Sequence, residues 1–280
     1  MTHEVRSRGE QTIKQVASVP IAEKKVWNPS GRVVAIDRDA LRAIELLPPV
    51  NLERLIASQY QQIKRPLIAS ATGKSSTPIA NGHLIMVASA LSGEGKTFTS
   101  INLALSMALE QDTEVLLVDA DVAKPHVSRI FGLRADRGLL DLLVDRNLSA
   151  ESAILPTNVP GLSILPAGRQ IATATELLAS SRMTELVEEL SSTAARRIVL
   201  FDSPPLLLST ESRALVHAVG QVVMVVRAQF TARKAVLDAI ELLDDAKPIS
   251  LVLNQSELAP STGYYGYGSY GDEAPAVVGG

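Results

Sequence analysis

The chain has 280 residues, of which 46% are hydrophobic and 4% aromatic, and its formal net charge is −3. This length fits one α/β domain of about 200 residues with extensions. The absence of cysteine excludes disulfides, thiolate catalysis, cysteine-ligated zinc and iron–sulfur clusters. The polar amino terminus does not resemble a secretory signal, and no apolar run reaches the roughly 18 to 20 residues of a membrane span. We therefore expect a soluble, cytoplasmic protein.

Charge is distributed unevenly along the chain. Residues 1–80 contain 12 Lys and Arg against 7 Asp and Glu, so the remainder carries the negative charge. An ordinary solvated surface explains this asymmetry, and the alternative is a basic part that faces an anionic membrane or an acidic partner. Aromatic residues are not interleaved with a basic stripe, so nucleic-acid binding has little support.

The amino-terminal part predicts short helices followed by a linker. Asp37 or Asp39 can cap a helix that ends near Leu47, and Asn51 can cap a second helix over 52–64, before Pro66. Composition marks 69–78 as a flexible linker. We therefore divide the chain into an extension over 1–80, a central domain over 81–258 and a flexible Gly/Tyr-rich tail over 259–280.

From Gly82 onward, apolar runs alternate with helical periodicity. The predicted strands are 84–89, 115–119, 162–165, 198–202, 222–227 and 249–254. The predicted helices are 97–109, 139–145, 175–190, 211–219 and 232–244. The strands are apolar at consecutive positions, as expected where helices cover both faces of a parallel sheet. This order predicts an α/β fold with a mainly parallel sheet flanked by helices and ligands at the carboxyl ends of the strands. The phosphate-binding loop described next makes it a fold of the P-loop NTPase type.

The first strand leads into a phosphate-binding loop, 89–97. Gly93 and Gly95 allow several backbone N–H groups to point at one anion, Lys96 adds a positive charge, and Thr97 offers a hydroxyl to Mg²⁺. The helix that follows directs its positive end at the same place. Ala90 occupies the position where the usual pattern begins with glycine.

Two further strands end in carboxylates of the kind that hold Mg²⁺ against phosphates. One delivers Asp119 and Asp121, and the other ends in Asp202, followed by Ser-Pro-Pro. In a parallel sheet, these groups meet the phosphate loop at one edge.

Three segments together resemble the bacterial tyrosine kinases. They are Ser-Gly-Glu-Gly-Lys-Thr, Leu-Leu-Val-Asp-Ala-Asp-Val-Ala-Lys-Pro and Leu-Phe-Asp-Ser-Pro-Pro, which begin at 92, 116 and 200. More narrowly, the chain is similar to the tyrosine autokinases of exopolysaccharide and PEP-CTERM loci. The resemblance covers roughly 50–270 and implies a P-loop kinase that uses ATP and Mg²⁺.

The resemblance also implies roles for individual residues. Lys96 would bind the β- and γ-phosphates, while Thr97, Asp121 and Asp202 would hold Mg²⁺. Asp119 would accept the proton of the tyrosine hydroxyl, whose ordinary pKa is about 10. The remaining nucleotide contacts implied are Ser92, Gly93, Glu94, Gly95 and Phe98, with Asn254 near the adenine. The family often has arginine where this chain has Ala123, followed by Lys124.

Four of the five tyrosines lie in the glycine-spaced segment 263–271, at Tyr264, Tyr265, Tyr267 and Tyr270. A sticky low-complexity tail is one interpretation. With the upstream motifs, we instead predict that these tyrosines are phosphorylated. The family resemblance implies that this occurs in trans between subunits of a ring, which the added charge would loosen.

Assembly is predicted from the same resemblance. Lys64, Arg65 and Pro66 fit the family's subunit-joining helix motif, but glutamines stand where charged residues are expected. The resemblance implies a homo-oligomer, a membrane adaptor of the chain-length-determinant (polysaccharide co-polymerase) type that recruits the kinase to the inner face of the plasma membrane, and a cognate tyrosine phosphatase.

Two alternatives stay open. A Min/Par-type switch ATPase would carry an extra lysine early in the phosphate loop, where this chain has Leu91, and would lack the tyrosine tail. A non-catalytic nucleotide-binding scaffold is the other alternative, because of the altered helix motif.

Overall fold

A computed structural model describes residues 32–192, 196–243 and 247–256. Its centre is a seven-stranded sheet in the order β3-β4-β2-β5-β1-β6-β7. The strands are β1 Leu84–Ser89, β2 Glu114–Asp119, β3 Leu155–Pro156, β4 Leu162–Leu165, β5 Arg197–Asp202, β6 Gln221–Arg227 and β7 Ile249–Asn254. Only β3 runs antiparallel to its neighbour. The predicted α/β fold with a mainly parallel sheet is confirmed, and β3 is an edge strand that the sequence did not indicate.

Helices cover both faces of this sheet. They are α1 Arg38–Ala43, α2 Glu53–Ala71, α3 Lys96–Ala108, α4 His126–Ile130, α5 Leu139–Val144, α6 Ala174–Leu178, α7 Ser181–Ser192, α8 Thr210–Val216 and α9 Arg233–Ile240. Every residue of β1 is buried, and its side chains alternate between two apolar clusters, as the pleat of a strand requires. The consecutive apolar pattern therefore reports a central strand covered on both sides.

Several predicted helix limits were wrong, and the first helix ends at Ala43 and not near Leu47. The continuous helix predicted over 175–190 is interrupted between α6 and α7, where the Ser180 hydroxyl bonds back to the Leu177 carbonyl at 2.6 Å and competes with the helical ladder. The predicted end of the second helix before Pro66 is also wrong, because α2 continues to Ala71. Pro66 and Gln62 are exposed, so water can reach the carbonyl that lacks a donor.

The residues before the sheet pack against it. Asp37 caps α1, accepting hydrogen bonds from two backbone N–H groups, whereas a short 3-10 turn leads into α2 in place of the predicted cap at Asn51. Tyr60 and Leu67 of α2 share one apolar cluster with Ile101 and Leu103 of α3. The division of the chain near residue 80 stays a prediction, although residues on both sides of it contribute to one core. Within the described ranges, no helix has the length and apolar composition to cross a membrane.

Candidate active site

The phosphate loop leaves the carboxyl end of β1 and enters α3 at Lys96. Gly93 and Gly95 have φ angles of 80° and 93°, in the left-handed region that glycine adopts without strain. A Cβ atom on Gly95 would lie 1.9 Å from the Nδ2 atom of Asn254, so a larger residue would displace that side chain. The loop therefore needs glycine both for its curvature and for its close approach to β7.

The segment after β5 donates hydrogen bonds to the start of the phosphate loop. The backbone N–H groups of Leu206 and Leu207 donate to the carbonyls of Ser89 and Ala90, at 2.9 and 3.2 Å. Ala90 is buried in the apolar cluster on this side of the sheet. The small apolar side chain of Ala90 is thus part of the core packing. The residues that directly follow Ser-Pro-Pro fix the start of the loop through its backbone carbonyls.

Lys96 lies almost fully inside the loop. Its Nζ atom donates to the Ser89 hydroxyl at 3.0 Å, and the residue is 8% exposed. Burial lowers the pKa of Lys96, while the nearby carboxylates of Asp202, Asp121 and Glu94 oppose that shift. The ammonium group is therefore held ready for an anion that enters the loop.

Asp202, at the end of β5, is bound from α3. Thr97 and Ser100 each donate a hydroxyl hydrogen bond to one of its carboxylate oxygens, both at 2.8 Å. Burial raises the pKa of Asp202 to about 6, against the opposing effect of these hydrogen bonds and of Lys96. Ser100 was not predicted, although its position three residues after Thr97 places it on the same helix face.

Asp119 lies directly beside Asp202, because the two residues are partners in the register of β2 and β5. Its Oδ2 atom accepts hydrogen bonds from the backbone N–H and the hydroxyl of Ser128, both at 2.7 Å. Its Oδ1 atom is buried and accepts no hydrogen bond from the described residues. Burial, followed by the charge of Asp202, raises the pKa of Asp119 to about 7. One carboxylate oxygen is thus fixed by two hydrogen bonds, and the other is buried without a hydrogen-bond partner among the described residues.

Asp121 lies at the more open side of this group. It is partly exposed, and its Oδ1 atom accepts a hydrogen bond from the backbone N–H of Lys124 at 3.0 Å. Burial raises the pKa of Asp121, while the Lys124 hydrogen bond and Lys96 oppose the shift. The turn after β2 therefore presents Asp121 near Lys96 and Asp202, as the sequence predicted.

Glu94 connects the phosphate loop to the segment after β6. Its carboxylate is fully buried and accepts hydrogen bonds from the Leu91 N–H, at 2.5 Å, and from the Thr231 hydroxyl. The Asn254 amide donates to the Glu94 carbonyl at 2.9 Å. The buried Glu94 side chain thus links the phosphate loop to the segment after β6. A contact between Asn254 and adenine stays a prediction. Thr231 was not predicted, since its partner is 137 residues away in the sequence.

The other predicted residues differ in their surroundings. Ser92 and Gly93 are exposed at the tip of the loop, whereas Phe98 is half-buried and packs against the apolar cluster shared with α2.

The four tail tyrosines lie outside the described residues. Tyr60, the fifth tyrosine, is 6% exposed, and burial raises its pKa. Lys64 of the predicted assembly motif is buried, with its Nζ atom 2.8 Å from Glu110 Oε1 and 2.7 Å from the Ser106 carbonyl.

The donor set suits a hard cation. Thr97 and the carboxylates of Asp121 and Asp202 provide the oxygen ligands that Mg²⁺ prefers. The described residues include no group of three or more acidic or imidazole side chains placed to hold a metal. A magnesium ion at this position would therefore need oxygens from phosphate and water as well, which is its usual mode of binding beside nucleotides.

Comparison with known proteins places this geometry in a family. A family model described as an AAA domain matches residues 82–254. The chain is 34% identical over 186 residues to tyrosine-protein kinase YwqD of Bacillus subtilis, across 65% of this chain and 77% of that one. It is 35% identical over 191 residues to putative tyrosine-protein kinase EpsB of Ralstonia nicotianae, across 68% of this chain. That match spans only 25% of EpsB, and a match to Wzc of Salmonella typhi spans 35% of that protein.

Solved structures agree with these relatives. The VpsO kinase domain superposes with a TM-score of 0.62 and 31% identity, covering 74% of this chain and 98% of that domain. The BceF tyrosine kinase domain has a TM-score of 0.59 and 25% identity, covering 78% of this chain and 91% of that domain. The chain therefore belongs to the bacterial tyrosine kinases, which are protein-tyrosine kinases built on a P-loop domain.

Proposed function

We propose that this chain is an ATP-dependent tyrosine autokinase that modifies the carboxyl-terminal tyrosines of a second copy and thereby regulates exopolysaccharide synthesis or export. The observation that carries this proposal is the buried Asp119 carboxylate beside Asp202, with one oxygen bound by Ser128 and the other without a hydrogen-bond partner among the described residues. A carboxylate of this kind suits proton acceptance from an alcohol or phenol. The glycine-spaced tyrosines of the same chain are an obvious acceptor.

The loop and the carboxylates around it would bind the nucleotide. Backbone N–H groups of residues 92–97 and the Lys96 ammonium would bind the phosphates, and Thr97, Asp121 and Asp202 would hold Mg²⁺. ATP supplies the phosphoryl group, and Mg²⁺ neutralises the charge that develops on its oxygens. The hydrogen bonds of Asp202 to Thr97 and Ser100 orient the carboxylate before any ligand arrives.

Asp119 would act as the general base. Its pKa of about 7 leaves a large fraction ionised at neutral pH, while it remains a far better proton acceptor than an ordinary aspartate. The tyrosine hydroxyl would donate its proton to Oδ1, because Oδ2 is already occupied by Ser128. As its oxygen attacks phosphorus, the phenol thus loses a proton to a group whose position is fixed by two hydrogen bonds.

The partners belong to the same proposal. A membrane adaptor of the polysaccharide co-polymerase type would recruit and stimulate the kinase at the inner face of the plasma membrane. The kinase would form a homo-oligomer, and a tyrosine phosphatase would reverse the modification. The motifs shared with exopolysaccharide-associated autokinases support these partners. Lys64 is buried and contacts Glu110 and Ser106 of the same chain. Subunit contacts through α2 would therefore rely on the exposed residues of this helix, including Gln61, Gln62 and Arg65.

Mass spectrometry of the tail tests the proposal. After incubation of the full chain with ATP and Mg²⁺, phosphate is expected on Tyr264, Tyr265, Tyr267 or Tyr270. Lys96→Met and Asp202→Asn should each lower the rate at least about a hundredfold, since each removes a charge that acts on the phosphates or their metal ion. Lys234→Met on the exposed face of α9 is the matched control and should leave the rate unchanged.

Two results would contradict the proposal. Absence of phosphotyrosine, both for the chain alone and with the cytoplasmic segment of its adaptor, would exclude autokinase activity. Steady ATP hydrolysis without phosphotyrosine would instead indicate a switch ATPase.

A further inference from the structure

Five exposed cations lie on the elements that follow β2 and β4: the turn after β2, α4, the segment before α5 and the loop after β4. We name this group the basic rim, and its members are Lys124, Arg129, Arg134, Arg137 and Arg169. We propose that the basic rim docks the acidic residues of the tail of a second copy, Asp272 and Glu273, and so presents the neighbouring tyrosines for phosphorylation. This inference rests on the proposed autokinase function and adds the surface that selects the acceptor.

Hydrogen bonds attach the rim to the catalytic group. The Gln170 side-chain amide donates to the carbonyl of Ala123 at 2.8 Å, which joins the loop after β4 to the turn that carries Asp121. The Ala167 N–H donates to the Ser128 hydroxyl at 3.0 Å, and that hydroxyl donates to Asp119. The loop that carries Arg169 is therefore in direct contact with the elements that hold both carboxylates.

Arg137 and Arg169 line an open cavity of about 370 Å³ in this region. The Arg169 Nε atom donates to Asp141 at 2.8 Å, yet 82% of the arginine side chain is exposed. Burial alone would raise the pKa of Asp141, but hydrogen bonds from Arg169 and Gly138 outweigh it and keep the pKa below its ordinary value. Asp141 thus stays ionised as an anchor, and the outer edge of the guanidinium faces solvent in a fixed orientation.

The acidic side chains of this region are partly engaged. Asp136 pairs with Arg32, and Asp141 is buried against Arg169. Asp145 lines the cavity and is exposed, while its carboxylate accepts a hydrogen bond from the Asn147 N–H. The exposed charge next to the site is consequently mainly positive. Two members of the rim, Arg129 and Lys124, affect the pKa of His126. Desolvation, followed by Arg129, lowers the pKa of this histidine, with further contributions from Lys96 and Lys124 against Asp121.

The tail has the complementary charge. Residues 257–280 contain Glu257, Asp272 and Glu273 and no lysine or arginine. Asp272 and Glu273 follow Tyr270 by two and three residues, a reach of about 7 to 10 Å in extended chain. A tyrosine at Asp119 and the acidic pair on the adjacent rim can therefore be bound at the same time.

The sheet order favours the tail of a second copy. The described chain ends just after β7, which is four strands from β2 and five from β4, or about 20 to 24 Å. The phosphate loop, at the end of β1, lies between β7 and the rim. The last described residues therefore lie on the far side of the phosphate loop from the rim, a separation that does not limit the tail of a second copy.

A binding measurement tests the docking without requiring phosphoryl transfer. A fluorescent synthetic peptide of residues 257–280 is titrated with the full-length protein, and its anisotropy gives Kd. Arg137→Ala and Arg169→Ala should each weaken binding about two- to fivefold, the range for exposed ion pairs, and added salt should weaken wild-type binding. Arg213→Ala on α8 is a matched control, also an exposed arginine, and should leave Kd unchanged.

A charge exchange makes the test specific and does not depend on the stability of the Arg169 variant. A peptide with Asp272→Lys and Glu273→Lys should bind wild-type protein more weakly than the natural peptide. Arg137→Glu should bind the natural peptide weakly and regain affinity for the exchanged peptide. Equal affinity of all these combinations would overturn the inference.

Phosphorylation of the peptide separates this inference from the proposed function. If wild-type protein phosphorylates the peptide and the arginine variants do so with unchanged KM, docking on the rim is wrong while autokinase activity stands. If binding depends on the arginines but no tyrosine is modified, the rim is supported and the proposed function fails. A Lys96→Met copy with an intact tail, mixed with an active copy that lacks residues 257–280, should be phosphorylated on its tail, and absence of that modification would exclude a second copy as the source of the tail.

Discussion

Asp119 and Asp202 are neighbouring carboxylates that are both nearly inaccessible to water. Burial raises both pKa values, to about 7 for Asp119 and about 6 for Asp202. The charge of Asp202 adds to the shift of Asp119, and the charge of Asp121 adds to the shifts of both. Folding therefore favours protonated Asp119, whereas the proposed chemistry needs it ionised. The ionised state of Asp119 that the proposed chemistry needs is therefore the state that lowers the free energy of unfolding.

Asp119→Asn should reveal this opposition. Since the ordinary pKa is 3.8 and the folded value is about 7, the stabilising effect of protonated Asp119 is present below about pH 4 and is lost as pH rises through 7. Asparagine carries no charge to bury, so the variant should gain on the order of 2 kcal/mol in free energy of unfolding at pH 8 and little at pH 4. Denaturant unfolding at both pH values measures the difference. The variant should also lose tyrosine phosphorylation.

Asp145→Asn provides the control for this experiment, because Asp145 is an exposed carboxylate on the same side of the sheet. Its free energy of unfolding should change little with pH relative to wild type. A stability gain for Asp119→Asn of equal size at pH 4 and pH 8 would show that the buried charge is not its cause.

Residues in contiguous motifs could be predicted, and those that act through tertiary contacts could not. Lys96, Asp121 and Asp202 were singled out because a strand or loop with a known chemical pattern precedes them. Ser128 was missed because α4 is a single short turn without periodicity, and its contact with Asp119 exists only in the folded chain. Thr231 was missed for the same reason.

At the scale of elements, the phosphate loop depends on β6 and β7 as well as on β1 and α3. The Glu94 carboxylate joins Leu91 to Thr231, and the Asn254 amide reaches the Glu94 carbonyl. Each contact ties the loop to a segment at the carboxyl end of a neighbouring strand. A buried charge is tolerated here because hydrogen bonds compensate for its desolvation.

Thr231→Val should loosen the loop. Valine has nearly the same shape but cannot donate to Glu94, which leaves a buried carboxylate short of one hydrogen bond. We expect Kd for a fluorescent ATP analogue to rise about three- to tenfold, with a larger effect on KM for ATP than on kcat. Thr231→Ser retains the hydroxyl and should bind nearly as wild type. Equal weakening in both variants would attribute the effect to packing and not to the hydrogen bond.

Strand positions followed from apolar runs more reliably than helix limits followed from proline and periodicity. The central strands were found to within one residue because full burial permits few polar residues in them. The extension of α2 past Pro66 was missed because Leu67, buried to 1% exposure, holds the second part of the helix against the sheet. Such packing overrides a local helix breaker and cannot be seen in the local sequence.

At the scale of the molecule, α2 and the sheet share one core. Leu67 lies in the same apolar cluster as Ile85 and Val87 of β1, and its carbonyl accepts a hydrogen bond from the Gln221 side chain of β6. The described extension therefore contributes to the stability of the P-loop domain.

Leu67→Ala should destabilise the whole molecule. Removing a fully buried leucine side chain is expected to lower the free energy of unfolding by about 2 to 5 kcal/mol, within a single transition that also reports loss of nucleotide binding. Leu55→Ala in the same helix, where leucine is 44% exposed, should cost less than about 1 kcal/mol. Two separate transitions, only one of them sensitive to Leu67, would show instead that α2 unfolds on its own.

The Ser128 hydroxyl has one further consequence. It accepts the Ala167 N–H from the loop after β4 while it donates its single proton to Asp119. Any acceptor peptide that shifts this loop must therefore alter the affinity of Asp119 for a proton, and protonation of Asp119 must alter peptide affinity by the same factor. Binding of the proposed acceptor and ionisation of the proposed base would thus be thermodynamically linked through one side chain.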